Sequence, residues 1–292
     1  MRDSNALRYE PVALREEMAA FGYVFLRGLL TEAVPAATSM VTSILRDAGW
    51  CGGSAGDPLL ATPAGIIAAA ALSTSRSVQR EVFRLEVLHQ LVHHHALLTV
   101  MGELLDSPEV LRHPRPVPRM VFPSDRGDGA TPSHQDHLGM QGSTNALTAW
   151  IVMQHCALED GPLAVAEASH LGGLRPNKPL SGARVFACED ADLNGHWRSA
   201  DFEPGDVVIF HSLTVHRALP NHSPYVRLSV DSRYQRAQEP ICEVALRDEV
   251  DLSWDEVYRG WGPSELPRYW ERQAQMVTPF DPQYYLRQPP TG

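Results

Sequence analysis

The chain has 292 residues, 43% of them hydrophobic, enough apolar material for one large core or two small ones. Its formal net charge is −10, which argues against nucleic acid or an anionic membrane surface as the main partner, because both require concentrated positive charge. Four scattered cysteines (Cys51, Cys156, Cys188, Cys242) with no C-x-x-C pair exclude a zinc knuckle or a thioredoxin-like motif and read as reduced thiols.

The polar N-terminus, Met1-Arg-Asp-Ser-Asn, has no apolar run of the kind that secretory signals carry. Pro11 to Phe21 places Leu14, Met18 and Phe21 on one stripe and predicts a helix. The apolar run between Gly22 and Gly28 predicts a strand. Thr31 followed by Glu32 opens a second helix through about Arg46, and Gly49 to Gly65, rich in Gly, Pro and small residues, reads as loop. The apolar stretch Ala61 to Leu72 is too short, and too rich in Ala, Pro and Thr, to span a bilayer, so the expectation is a cytoplasmic, soluble chain. Ser75 to Leu105 is a long helical region with one break.

Near Arg112 the helical period fades. Short strand-like runs follow: Arg119 to Phe122, Leu147 to Met153, Leu163 to Ala166, Arg184 to Ala187, Asp206 to Phe210 and Arg227 to Tyr234. Runs of this length and spacing point to a sandwich or barrel. Short helices are expected at Ser253 to Arg259 and around Pro267 to Met276. The organisation expected is one α+β domain with a jelly-roll (double-stranded β-helix, cupin-like) core. It divides into a helical N-terminal part at about 1–111, the core at about 112–236, and a C-terminal helical extension at about 237–292.

The chemistry concentrates in His134-Gln135-Asp136 and, 80 residues later, His216. Two imidazoles and a carboxylate on one face of a metal leave the opposite face open, the usual arrangement for non-haem Fe(II) oxygen activation. On a strand, positions i and i+2 share a side, so His134 and Asp136 can grip one metal while Gln135 points away. Pro204-Gly205-Asp206 is a turn feeding the apolar strand before His216, and Pro220 to Pro224 is a second turn. Arg227 follows His216 by 11 residues on the next strand. Its planar guanidinium suits a bidentate grip on the far carboxylate of 2-oxoglutarate.

Competing residues are weighed beside these. His211 alternates in phase with Val207 and Ile209, but the position eleven residues on is His222 rather than an arginine, which favours His216. His89, His93, His94 and His95 read as a polar helix face, since no H-E-x-x-H pattern is present. Asn221-His-Ser223 reads as a turn. Arg233 either pairs with Asp231, the favoured reading, or enters the pocket. Arg119 reaches a substrate carboxylate or forms a surface salt bridge. Asp190 and Asp192 read as a solvated loop.

The ordered set of motifs resembles the phytanoyl-CoA dioxygenase (PhyH-like) family of Fe(II)/2-oxoglutarate oxygenases. It runs from Phe21-Gly-Tyr-Val-Phe-Leu-Arg-Gly-Leu-Leu-Thr through His134-Gln135-Asp136 and Ala149-Trp150. Glu159-Asp-Gly-Pro-Leu163 and Ala168-Ser-His170 come next, then Pro204-Gly-Asp206, His216, Asn221, Ser223 and Arg227. The resemblance implies Fe(II) held by His134, Asp136 and His216, with 2-oxoglutarate anchored by Arg227 and O2 as the second co-substrate. It also implies Trp150 lining the same pocket and Thr131 near the co-substrate. Asp136 separates the chain from halogenating relatives, which carry a small residue there. Two departures stand out: Ala166-Glu-Ala-Ser-His170 replaces a Pro-Gly-Ser-His ending, and Ala218 stands where a serine is common. The expected function is hydroxylation of a small-molecule natural-product intermediate with release of succinate and CO2. A CoA thioester is disfavoured because basic residues do not cluster. The alternatives are desaturation, epoxidation or demethylation at the same iron, or a jelly-roll ligand-binding protein without catalysis. Oligomeric state leaves no signal in the sequence.

Overall fold

The computed structural model describes residues 1–53, 58–70, 72–124, 130–179, 186–247, 251–274 and 276–284. Helix α1 (Pro11–Phe21) opens on proline, whose fixed φ suits the first turn, and stops at Gly22 with φ +77°. A side chain there would collide with His170 Nδ1 at 2.5 Å, so glycine is required where the chain enters strand β1 (Tyr23–Leu26).

The second helix begins later than expected. Residues 27 to 33 form a turn whose Leu30 amide donates to Gly205 and whose Thr31 hydroxyl donates to the Pro204 carbonyl. Thr31 therefore spends its side chain on the opposite turn, and α2 runs Val34–Asp47. The helical region beyond has two breaks rather than one, giving α4 (Leu72–Phe83), α5 (Glu86–Val92) and α6 (His95–Leu105). Leu85 is extended, and the His94 ring starts α6 by accepting from the Ala96 amide. A further helix, α3 (Pro63–Ala70), overlaps the segment read as loop; the Thr62 hydroxyl caps it by accepting from the Gly65 amide. No described helix is long and apolar enough to cross a membrane.

The strands that follow are β2 (Val110–Arg112), β3 (Val117–Val121), β4 (Leu147–Val152), β5 (Leu163–Ala166) and β6 (Trp197–Arg198). They continue with β7 (Val207–His211), β8 (His216–Ala218) and β9 (Arg227–Arg236). A six-stranded antiparallel sheet has the order β1-β7-β4-β9, with β2 and β3 both pairing with β9. A second sheet, β6-β5-β8, faces it. Side-chain alternation explains the layering. Ala149, Ile151, Val207, Ile209, Leu228 and Val230 join the core under the helices. Trp150, Val152, Val208 and Phe210 face the small sheet and meet Leu163 and Val165. β4 and β7 are thus covered on both sides, which is why they read as unbroken apolar runs. The two facing sheets form the expected double-stranded β-helix. Gly205, φ +86°, permits the close approach that joins them to the N-terminal turn: a Cβ there would lie 2.2 Å from the Thr31 nitrogen.

Of the run read as a strand over Arg184 to Ala187, Arg184 and Val185 lie outside the described residues. Phe186–Cys188 is a strand paired with Asn177–Pro179. The two expected C-terminal helices contract to single turns, α8 (Trp254–Val257) and α9 (Trp270–Gln273). Aromatic packing replaces helical length there: Trp254, Tyr258, Trp261, Tyr269 and Trp270 stack edge and face against one another. Beyond them Val277–Thr278 pairs in parallel with Ile241–Cys242. His89 is buried rather than on a polar face; its Nε2 meets the Phe83 carbonyl, and Arg112 donates to His93 Nε2.

Candidate metal centre and co-substrate pocket

Backbone pairing brings two distant segments together at one rung. His134 and His216 exchange N–H···O bonds of 3.0 Å in both directions, and their rings lie 4.1 Å apart. The expected strand geometry of the triplet holds only in part. Gln135 is extended, so His134 and Asp136 point the same way, but Asp136 then opens a short helix, α7 (Asp136–Met140). Gln135 points away from the two ligand side chains but stays buried, donating to the Gly173 and Leu213 carbonyls. The ligand atoms of His134, Asp136 and His216 lie within 4.8 Å of one another, all buried. His211 is elsewhere, with its Nδ1 accepting from the Leu213 amide.

The donor set suits a divalent metal. His134 Nδ1 faces the Pro132 carbonyl at 2.8 Å and His216 Nδ1 faces the Thr214 carbonyl at 3.0 Å. A carbonyl can only accept, so each Nδ1 carries the proton and each Nε2 presents a bare lone pair. Those Nε2 atoms lie 3.8 and 3.9 Å from Asp136 Oδ1. Burial, reinforced by His216, pushes the His134 imidazole down to about 3, and burial lowers His216 as well, so both stay neutral. Burial alone would raise the Asp136 carboxyl. The Arg233 guanidinium, by its charge and its hydrogen bonds, outweighs it and holds the group well below the usual carboxylate range.

Arg233 corrects an expectation. Asp231 pairs with Arg119 across the sheet at 2.9 Å. Arg233 instead forks onto Asp136, Nε to Oδ2 at 3.2 Å and Nη2 to Oδ1 at 3.1 Å, and the Thr148 hydroxyl donates to Oδ2 at 2.6 Å. Thr148 and Arg233 are directly opposite in the β4–β9 ladder, so one cross-strand pair holds the carboxylate. Thr148 is the one polar residue in the run Leu147–Val152, and that interruption was the available signal.

Arg227 is 2% exposed. It donates to Ser229 Oγ at 2.6 Å and to the Gly161 carbonyl at 3.1 Å, its Nε is buried without a partner, and its guanidinium lies 5.8 Å from the Trp150 ring centre. One pocket is lined by His134, Asp136, His216, Arg227, Trp150 and Thr131, so all six residues singled out in the sequence meet there. Arg119, Asp231, Arg233 and Arg217 supply the rest of its charged lining. Arg217 lies over the Trp197 ring and reaches Asp190, which also accepts from the Ser133 hydroxyl, so Asp190 is tied to the site rather than solvated.

Two supports had no counterpart in the sequence reading. The C-terminal tail lies against α7: Gln141 and Asp281 exchange hydrogen bonds of 2.9 Å in both directions, and His137 Nε2 meets the Tyr284 hydroxyl at 2.8 Å. The divergent loop over 166–170 places Ala168 at φ +63°, and Ser169 Oγ accepts from the Val215 amide beside the second histidine.

The model of the family Phytanoyl-CoA dioxygenase (PhyH) matches residues 18–229. Among curated proteins, the chain is 32% identical over 130 residues to 1-deoxypentalenic acid 11-beta-hydroxylase of Streptomyces exfoliatus, covering 40% of this chain and 46% of that one. It is 28% identical over 124 residues to the peroxisomal phytanoyl-CoA dioxygenase of Bos taurus, covering 39% and 37%. These matches span less than half the length of the relatives. Among solved structures, the non-heme alpha ketoglutarate dependent carbocyclase SnoK of nogalamycin biosynthesis superposes with a TM-score of 0.54 at 21% identity, covering 78% of this chain and 84% of that one. The epimerase SnoN of the same pathway gives 0.51 at 18%, covering 93% and 98%. At these identities the structures speak for the fold, whereas the family match runs from α1 through the triplet to the last strand of the large sheet, and the chain belongs to the phytanoyl-CoA dioxygenase family.

Proposed function

We propose that this protein is an Fe(II)- and 2-oxoglutarate-dependent oxygenase that hydroxylates a small-molecule natural-product intermediate, with His134, Asp136 and His216 as the iron ligands. One observation carries the reading: two bare imidazole nitrogens converge on a buried carboxylate, in the same pocket as a buried arginine that has only neutral partners. Bound Fe(II) would supply the coupling of O2 reduction to oxidative decarboxylation of 2-oxoglutarate, giving succinate, CO2 and one oxygen atom for the substrate.

The chain's own residues do the rest. The Pro132 and Thr214 carbonyls fix the imidazole tautomers and aim each lone pair at the metal position. Arg227 receives the far carboxylate of 2-oxoglutarate through its unpaired edge, while Trp150 and Phe210 form a dry wall beside it. Thr131 lies where it can touch the co-substrate. The name of one relative, a 1-deoxypentalenic acid hydroxylase, supports a small-molecule substrate, and the oxidative outcome is left to substrate placement. The four buried free cysteines support the reducing cytoplasm as its compartment.

The test is succinate release by purified protein given Fe(II), O2 and 2-oxoglutarate, with candidate terpenoid and polyketide acids as substrates. Substrate-coupled succinate that vanishes in Asp136→Ala and His216→Ala supports the reading. Equal turnover in those variants, or activity only with a different metal, removes it. Product mass separates hydroxylation, a gain of one oxygen, from desaturation, a loss of two hydrogens.

A further inference from the structure

The fork between Arg233 and Asp136 is more than orientation requires. Thr148 already fixes Oδ2 with a short, neutral hydrogen bond. A glutamine or serine opposite it would hold the carboxylate plane as well. The chain instead places a full positive charge, 8% exposed, directly against the group that must receive a dication. In a buried site that charge is poorly screened and is felt by whatever binds at Oδ1. Arg119, the neighbouring cation, is matched by Asp231 and adds little. Two neutral imidazoles, one carboxylate and one guanidinium leave the ligand set with no net charge, and Arg227 adds a further buried positive charge to the pocket.

We infer that Arg233 makes metal binding depend on 2-oxoglutarate, by cancelling the charge of Asp136 until a dianion enters the pocket. This rests on the ligand assignment proposed above. A divalent metal alone meets a site with no compensating charge and binds weakly. The dianionic co-substrate neutralises the metal from the open face and satisfies Arg227 at its far end. Each ligand therefore strengthens the other, and linkage makes the effect equal in both directions. Oδ2 is occupied by two donors, so Asp136 is left to bind through Oδ1 alone.

The experiment is isothermal titration of Mn(II) into metal-free protein under nitrogen, with and without saturating 2-oxoglutarate, for the natural protein, Arg233→Gln and Arg233→Lys. Thermal unfolding of each variant checks that it is folded. In the natural protein 2-oxoglutarate should tighten Mn(II) by tenfold or more, a conservative floor for opposite charges meeting in a buried site. Arg233→Gln keeps a hydrogen-bond donor and loses the charge, so it should bind Mn(II) alone about tenfold more tightly, with most of the enhancement gone. Arg233→Lys keeps the charge and loses the fork, so its enhancement should stay close to the natural value. A glutamine variant that binds metal alone no more tightly overturns the inference. So does a lysine variant that loses the enhancement, and the lysine arm decides the matter if the glutamine protein does not fold. Natural protein whose Mn(II) affinity ignores 2-oxoglutarate also overturns it, whereas failure of the ligand assignment looks different: Mn(II) binding would then survive His216→Ala.

Discussion

Burial without a matching anion sets what replacement of Arg227 does. Its partners are a serine hydroxyl and a backbone carbonyl, so the energy of an incoming carboxylate falls on one planar fork. A lysine brings the charge but only a point donor. Arg227→Lys should therefore raise the KM for 2-oxoglutarate by roughly 10- to 100-fold, the loss of one charge-assisted hydrogen bond of about 1.5–3 kcal/mol. Steady-state succinate assays at varied 2-oxoglutarate check this. Ala168 is the opposite case, a residue the fold would exchange to its benefit. It holds φ +63°, a conformation that costs a non-glycine residue about 1–2 kcal/mol. Ala168→Gly trades that strain for backbone entropy. A net gain of about 0.5–1 kcal/mol should show as a higher urea midpoint with an unchanged slope.

At the scale of elements, the turn between β8 and β9 sets the spacing from the second histidine to the arginine, and Asn221 is its keystone. The side chain donates to the Val121 and Tyr225 carbonyls and accepts from the amide and hydroxyl of Ser223. It is 2% exposed, so truncation strands buried groups. Asn221→Ala should cost roughly 2–4 kcal/mol in equilibrium unfolding and weaken metal and 2-oxoglutarate binding together. This element was legible because Pro, Asn and Ser in sequence demand a turn. β4 and β7 were legible because burial on both faces writes itself as an apolar run. The break before α6 was not, because a histidine ring caps that helix in place of the usual Ser, Thr, Asp or Asn. Two-residue pairings such as Cys51–Gly52 with Leu60–Ala61 are too short to carry a period. The residues that meet in the pocket, His134, Asp136 and His216, could be read from spacing and motif. The Arg233 fork could not, since alternation along β9 puts Asp231 and Arg233 on one face and only the position of Arg119 across the sheet decides which acid each arginine takes.

Across the whole molecule, buried neutral histidines make the fold acid-sensitive. Burial holds His89 at about 3 and His113 at about 4, while an unfolded histidine titrates near 6.5. The folded state therefore excludes protons that the unfolded state takes up. The stabilisation from these groups is complete above about pH 6.5 and is lost as pH falls towards the folded values. Each such group should remove about 2 kcal/mol between pH 7.5 and pH 5. Urea unfolding across that range checks the slope, and His89→Gln should reduce it by about one proton.

The contact of residues 281 and 284 with the α7 segment ties the candidate metal centre to a part of the chain distant in sequence. Residues 281 and 284 grip the helix that begins with Asp136, so whatever steadies that helix also steadies the tail. By reciprocity, cation loading should shield residues 281–284 from endoprotease cleavage, and cutting there should loosen the grip on a metal from outside the pocket.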